Sequence, residues 1–223
     1  MNIHIIGGGT VSYIRNHMAL CAPAYGQTAR HLYRLFCTDY SDSVYLHLTK
    51  MADPEGSQME TNQDVAGLID RLCQDPSTNV IILNAALCDY DGSVVDLDSG
   101  ALTASGKHET RLKTRAGNQT LILTPASKLI SNIKSIRPDI YVVGFKTTTG
   151  VTEQEQITAA GNLFPHADLV LANDTVTRSN ILCSSTGGTM GSMDRYSILK
   201  KLTEAVTGND RIMVPTCDFW KTS

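Results

Sequence analysis

The hydrophobic pattern changes period repeatedly along the chain. "NIHIIG" and "SVYLHLT" read as strands, and between them "GQTARHLYRLF" sets Ala29, Leu32, Tyr33 and Phe36 on one helical face. "DVAGLIDRLCQD" repeats that spacing at Val65, Leu68, Ile69 and Leu72, and "NVIILNA" follows as a continuous apolar strand. The second half resumes the alternation. "TLILTP" reads as a strand, and "ASKLISNIKSIRP" as a helix with Leu129, Ile130, Ile133 and Ile136 on one face, ended by Pro138. "IYVVGF" is a strand, and "TEQEQITAAGNLF" a helix opened by Thr152, with Glu155 placed to complete a capping box. "ADLVLAN" is a further strand, "NILCSS" and "GTMGSM" suggest a short hairpin, "YSILKKLTEAV" a last helix and "RIMVP" a last short strand. This alternation predicts an α/β, Rossmann-like three-layer fold with a mainly parallel sheet covered on both faces. Residues 88–119 interrupt it with a polar stretch rich in Gly, Ser, Thr and charge, which predicts a protruding functional loop or hairpin. With no internal repeat and no linker, residues 1–223 are expected to form a single domain.

In such a sheet the carboxyl ends of the strands share one edge, where ligands bind. That edge should carry "GGGT" (7–10), "NAALCD" (84–89), "GFKTTTG" (144–150) and "ANDT" (172–175). The run Gly7–Gly9 is expected as a strand-to-loop turn whose backbone N–H groups can cradle phosphate, although it is neither GxGxxG nor a P-loop. Ala85 and Ala86 would let a ligand approach the backbone, and Asp89 would offer a carboxylate; a tight turn followed by a solvated acid is the plain alternative.

Composition narrows the partners. Hydrophobic residues make up 42% and charged residues 18% of the 223, and the net charge is -3. There is no global basic field to attract nucleic acid or anionic lipid, so small-molecule partners are expected. No run approaches the ~18 apolar residues of a membrane span, and "MNIHIIGGGT" lacks the features of an export signal. Six scattered cysteines without a CxxC pair indicate neither zinc nor a redox motif, and fit reduced thiols in a cytoplasmic protein.

Taken together, the blocks resemble one family. "GGGTVSYIRNHMALCAPAYG" carries Val11, Ile14, Asn16 and His17 in the spacing of a GGT turn followed by V-R-x-I-x-N, with Gly26 opening the helix. "NAALCDY" is similar to an A-A-V-x-D-[YF] pattern, "TRLKT" to a K-I-K-K run, "VVGFKTTTG" to V-G-F-[AK]-x-E-[TV], and "ADLVLAND" to D-x-[IV]-x-A-N-D. "LILTPASKLISNIK" resembles the same family's leucine-rich strand and P-x-x-[IL] helix start. In this order the blocks resemble the phosphopantothenoylcysteine synthetase (phosphopantothenate–cysteine ligase) family of coenzyme A biosynthesis.

The resemblance implies a ligase that activates the carboxylate of 4′-phosphopantothenate with CTP or ATP, Mg2+ entering through the triphosphate, and then couples the acyl-nucleotide to cysteine. No protein nucleophile or protein-bound metal is needed. By motif position, Asn16 would hold the acyl carbonyl and Lys113 would meet the triphosphate or pyrophosphate, with Lys107 a bystander on the same loop. Ala85, Ala86 and Asp89 would bind phosphopantothenate; Gly8, Gly9, Gly26, Phe145, Lys146 and Asn173 would bind the nucleotide. A homodimer is implied, with the 88–119 arm reaching the partner's site. The chain also departs from the family. "MALCAPAYG" replaces the S-S-G-x-x-G segment, the stretch at 111–114 is less basic than K-I-K-K, and no glutamate follows Phe145. A non-catalytic nucleotide-binding relative and a dinucleotide-binding reductase are the competing readings.

Overall fold

Strand β1 (Asn2–Arg15) runs straight through the three glycines instead of turning at them. The reason is close packing. A Cβ on Gly7 would stand 2.3 Å from the Ala29 Cβ, and Gly8 has φ +102 with Thr49 Oγ1 2.2 Å from where its Cβ would be. The glycines therefore let the following helix and the 49–52 turn approach an extended strand, which corrects the expected strand-to-loop turn. Beyond them the strand pairs antiparallel with β2 (Met18–Ala22), from Thr10↔Ala22 to Arg15↔Met18.

The computed structural model describes residues 1–40, 43–96, 98–191 and 193–208. After β2 come α1 (Gln27–Tyr40), β3 (Val44–Leu48), α2 (Asn62–Gln74), β4 (Thr78–Ala86), β5 (Tyr90–Val94), β6 (Leu121–Pro125), α3 (Ile130–Ile136), β7 (Tyr141–Thr148), α4 (Glu153–Gly161), β8 (Leu169–Asp174), β9 (Asn180–Ser184), β10 (Thr189–Met190) and α5 (Arg195–Thr207). The expected strand "RIMVP" lies outside the described residues. The central strands β3, β1, β4, β7 and β8 are parallel neighbours in that order. Antiparallel β9 and β10 extend the β8 edge, and they form the hairpin expected from "NILCSS" and "GTMGSM".

Alternating side chains divide the core between the two faces of the sheet. Ile3, Ile5, Val80, Ile82, Val143, Leu169 and Leu171 meet α1 and α5 on one side. Ile6, Ile81, Leu83, Val142, Val170 and Ala172 meet α2, α3 and α4 on the other. This is the expected three-layer α/β arrangement. The chain leaves β1 through α1 on one face and leaves β4 toward α3 on the opposite face. The crevice between β1 and β4 is thus a topological switch point, where open α/β sheets bind ligands.

"TLILTP" behaves differently from the reading that set it in the main alternation. It forms β6, which among the described residues pairs only with β5 in a separate two-stranded ribbon, and all five of its residues are exposed. The protruding hairpin expected from the polar stretch is this ribbon with its connection.

Candidate functional site

A cavity of about 930 Å3 opens over the carboxyl ends of β1, β4, β7 and β8. The parallel register sets Gly8 and Gly9 of β1 beside Ala85 and Ala86 of β4, so the floor is backbone and methyl groups. Beyond β4 the chain is pinned from below. The Cys88 N–H donates to Thr10 Oγ1 (3.0 Å), and Asn62 Nδ2 donates to the Cys88 carbonyl (2.8 Å). Thr10 Oγ1 in turn donates to Asn62 Oδ1 (2.7 Å). Thr10 is fully buried, so this network fixes the 86–89 segment at the cavity rim and satisfies its polar groups. At the end of the segment the Asp89 carboxylate pairs with the Lys128 ammonium, both well exposed at the cavity mouth.

The opposite wall is organised by Asp174. Burial alone would raise its pKa, but N–H groups of Thr177, Gly150 and Val176 and the Thr148 hydroxyl converge on the carboxylate and hold it well below the ordinary range. The loops after β7 and β8 are thereby tied together, which sets Asn173 and Thr147 at the rim. Phe145 packs against the core shared with α1 and α5 and also lines the cavity, with Lys146 next to it.

Of the residues singled out in the sequence, Gly8, Gly26, Ala85, Ala86, Asp89, Phe145, Lys146 and Asn173 line this one cavity. Gly9 lies just beyond the lining, paired with Ala86. Asn16 and Lys113 are not brought to it. Asn16 is exposed in the β1–β2 turn, where its N–H donates to the Glu109 carbonyl (3.2 Å) and its Oδ1 faces His17 Nδ1 (3.0 Å). Lys113 is exposed just before a single 3-10 turn at Thr114–Ala116. Lys107, the expected bystander, is exposed and lies outside the cavity lining, but it is tethered within the chain. Its ammonium pairs with Glu60 and sits 5.4 Å from the Tyr13 ring centroid.

Sequence reasoning missed Lys128 and Arg195, which line the cavity, and Thr10 and Asn62, which brace it. Lys128 fell inside the expected 126–138 helix, whereas α3 begins only at Ile130, leaving Lys128 on the loop. The signal available for Arg195 was a cation at the start of a helix, where the dipole disfavours positive charge. Thr10 and Asn62 are 52 residues apart, and no local pattern joins them.

Fold and crevice together define a Rossmann-like α/β protein with an open cavity at the switch point. No protein-family profile matches the chain. Among curated proteins it is 29% identical over 119 residues to the coenzyme A biosynthesis bifunctional protein CoaBC of Thermococcus kodakarensis, covering 52% of this chain and 26% of that protein. The match thus spans about a quarter of the relative's length. Among solved structures, the DNA/pantothenate metabolism flavoprotein from Streptococcus pneumoniae superposes with a TM-score of 0.78 at 22% identity, over 94% of this chain and 100% of that one. The C-terminal domain of CoaBC gives 0.62 at 12% identity, covering 94% and 97%. A Cab2 mutant in complex with phosphopantothenate-cysteine gives 0.64 at 14%, covering 93% and 86%. The three-layer fold is shared with these structures, and the partial match to CoaBC bears out the resemblance to the phosphopantothenoylcysteine synthetase family.

Proposed function

We propose that the chain joins 4′-phosphopantothenate to cysteine through an acyl-nucleotide formed from CTP or ATP. One observation carries the reading. The family-like blocks at 8–9, 85–89, 145–146 and 173, far apart in sequence, converge at one cavity or its immediate edge, on a fold shared with a protein solved with phosphopantothenate-cysteine. The glycine and alanine floor admits a chain-like substrate against the backbone, and Asp89 accepts a hydrogen bond from its hydroxyl or amide once Lys128 gives way. Phe145 and Asn173 hold the nucleotide, with Lys146 near its phosphates. Bringing carboxylate and α-phosphate together supplies the positioning the first step needs, and the cysteine amine then attacks the acyl carbon. Magnesium would enter on the triphosphate; among the described residues no cluster of three metal-binding side chains stands ready to hold it independently.

Asn16 and Lys113 enter this scheme from a second copy of the chain. Leu121, Ile122 and Leu123 of the ribbon are 38%, 42% and 49% exposed, an apolar strip suited to burial against another subunit. A homodimer would carry the β1–β2 turn and the arm toward the partner's cavity. There Asn16 would hold the acyl carbonyl and Lys113 would neutralise the departing pyrophosphate. We infer a cytoplasmic location from the same biosynthetic role. If no second copy supplies those two residues, the non-catalytic nucleotide-binding relative is favoured. Pyrophosphate release decides between them. With CTP or ATP it should require 4′-phosphopantothenate, and no substrate-dependent release with either nucleotide removes the ligase reading.

A further inference from the structure

Among the described residues, Arg195 stands on the cavity wall without a counter-ion. It is the first residue of α5, half-buried beside the start of α1. One Nη1–H donates to Asn180 Oδ1 (2.9 Å) and one Nη2–H to Thr28 Oγ1 (3.1 Å), both neutral acceptors. A guanidinium has five N–H donors, so three remain. Among the described residues no carboxylate lies within ion-pair distance of it. The adjacent Asp194 is committed elsewhere: its carboxylate accepts the N–H groups of Tyr196 and Ser197 and the Ser197 hydroxyl, capping α5. Burial pushes the guanidinium pKa down, as expected for a charge lacking an opposite partner. The helix dipole adds to the cost, since a cation at a helix N-terminus faces the positive end.

A charged group held at such a cost, braced by two neutral side chains and facing a cavity, has the form of a waiting anion site. We infer that Arg195 binds a phosphoryl group in this cavity. Its planar fork, steadied by Asn180 and Thr28, offers the remaining donors to phosphate oxygens in the two-pronged geometry that lysine cannot supply. Thr28 and Gly26 line the same wall, so the phosphoryl group would sit between α1 and α5, across the cavity from Lys128. This deepens the ligase reading and rests on it for the ligand, which could be either the nucleotide or the phosphate of phosphopantothenate.

Calorimetric binding separates the possibilities without turnover. Wild type, Arg195→Gln and Arg195→Lys would be titrated with pyrophosphate, CTP, ATP, 4′-phosphopantothenate and unphosphorylated pantothenate. Loss of a charged hydrogen-bonding group should weaken the phosphorylated ligand it holds by about 10- to 100-fold in Arg195→Gln. Arg195→Lys should fall between, and pantothenate should bind all three proteins alike. Weakening confined to CTP, ATP and pyrophosphate assigns the subsite to the nucleotide; weakening confined to 4′-phosphopantothenate assigns it to that substrate. If Arg195→Gln folds and binds every phosphorylated ligand as wild type does, the inference is overturned. If it does not fold, Arg195→Lys decides: wild-type affinity overturns the inference, and a several-fold loss at unchanged melting temperature supports it. Wild type binding none of the phosphorylated ligands also overturns it. Arg195-dependent nucleotide binding without substrate-dependent pyrophosphate release would sink the ligase reading and leave the subsite standing.

Discussion

Strands β4 and β6 both carry a short apolar run, and they lie in opposite surroundings. In β4, Val80, Ile81 and Ile82 are 2%, 0% and 0% exposed, with β1 and β7 on either side and helices over both faces. In β6, every residue is exposed, and among the described residues β5 is its one strand partner. An apolar run therefore identifies a strand without saying which sheet it joins. The body is held by extensive buried hydrocarbon, whereas the arm joins a small apolar contact, centred on the buried Ile14 and Val94, to polar tethers. Ser12 Oγ donates to Asp91 Oδ1 (2.6 Å), and Arg15 Nη1 donates to the Ala104 carbonyl (2.6 Å). An isolated two-stranded ribbon is marginal in water, so the arm needs these tethers and, in our reading, a second subunit over its apolar strip.

The largest expected effect tests this contrast directly. Ile82→Ala should cost about 2–5 kcal/mol, because it leaves a cavity between two sheet neighbours and α1. Ile122→Ala should change subunit stability by no more than about 0.5 kcal/mol, as exposed positions do, yet shift the sedimentation profile toward monomer. Thermal melts and ultracentrifugation of the two variants report the two quantities separately. Equal losses of melting temperature would mean that the arm belongs to the core after all.

Next in size is Lys113→Ala. If Lys113 neutralises pyrophosphate in a partner's cavity, turnover should fall by roughly 30- to 1000-fold, equivalent to about 2–4 kcal/mol of transition-state stabilisation. Mixing Lys113→Ala subunits with Asp89→Ala subunits should then restore turnover, since the mixed dimer assembles one site with both native residues. No recovery on mixing, with subunit exchange verified, would place Lys113 outside the partner's chemistry. Asp89→Ala alone should mainly raise KM and Asn16→Ala mainly lower kcat, a split that steady-state kinetics reads directly.

The division between body and arm also marks what was legible in the sequence. The continuous apolar run at Val80–Leu83 and the helical spacing at Val65, Leu68, Ile69 and Leu72 reported burial, because a strand covered on both faces is apolar throughout and a helix buries one face with its own period. Eight of the candidate residues came together at one cavity, most of them because strand ends share an edge, so finding the strands nearly finds the cavity. What escaped depends on contacts between distant segments. The Thr10–Asn62–Cys88 network has no local pattern, and the glycine run looks identical whether it turns or passes close under α1. Lys107 looked like any solvated loop lysine, because its partner Glu60 is 47 residues away.

That pairing gives the smallest expected effect and the finest test of how the arm is held. Glu60 accepts from Lys107, from Lys50 Nζ (2.7 Å) and from the Tyr13 hydroxyl (3.1 Å). The lysine hydrogen bonds, that of Lys107 first, bring its pKa down to about 2 against burial's opposing push. A carboxylate whose folded pKa lies below its unfolded value contributes stability that is fully present above the unfolded pKa. For Glu60 that contribution is lost as pH falls from about 4.5 toward about 2. Because both lysines are substantially exposed, solvent screens the pairs, and the effect should be local rather than global. Hydrogen exchange in residues 100–112 should therefore quicken a few-fold between pH 5 and pH 3, after correction for intrinsic rates, while β4 stays protected. Glu60→Gln should show the faster exchange already at pH 7, with no further change on acidification. If the arm in Glu60→Gln exchanges as slowly as in wild type at both pH values, Arg15 and Ser12 suffice to hold it, and the Glu60 cluster is only surface charge.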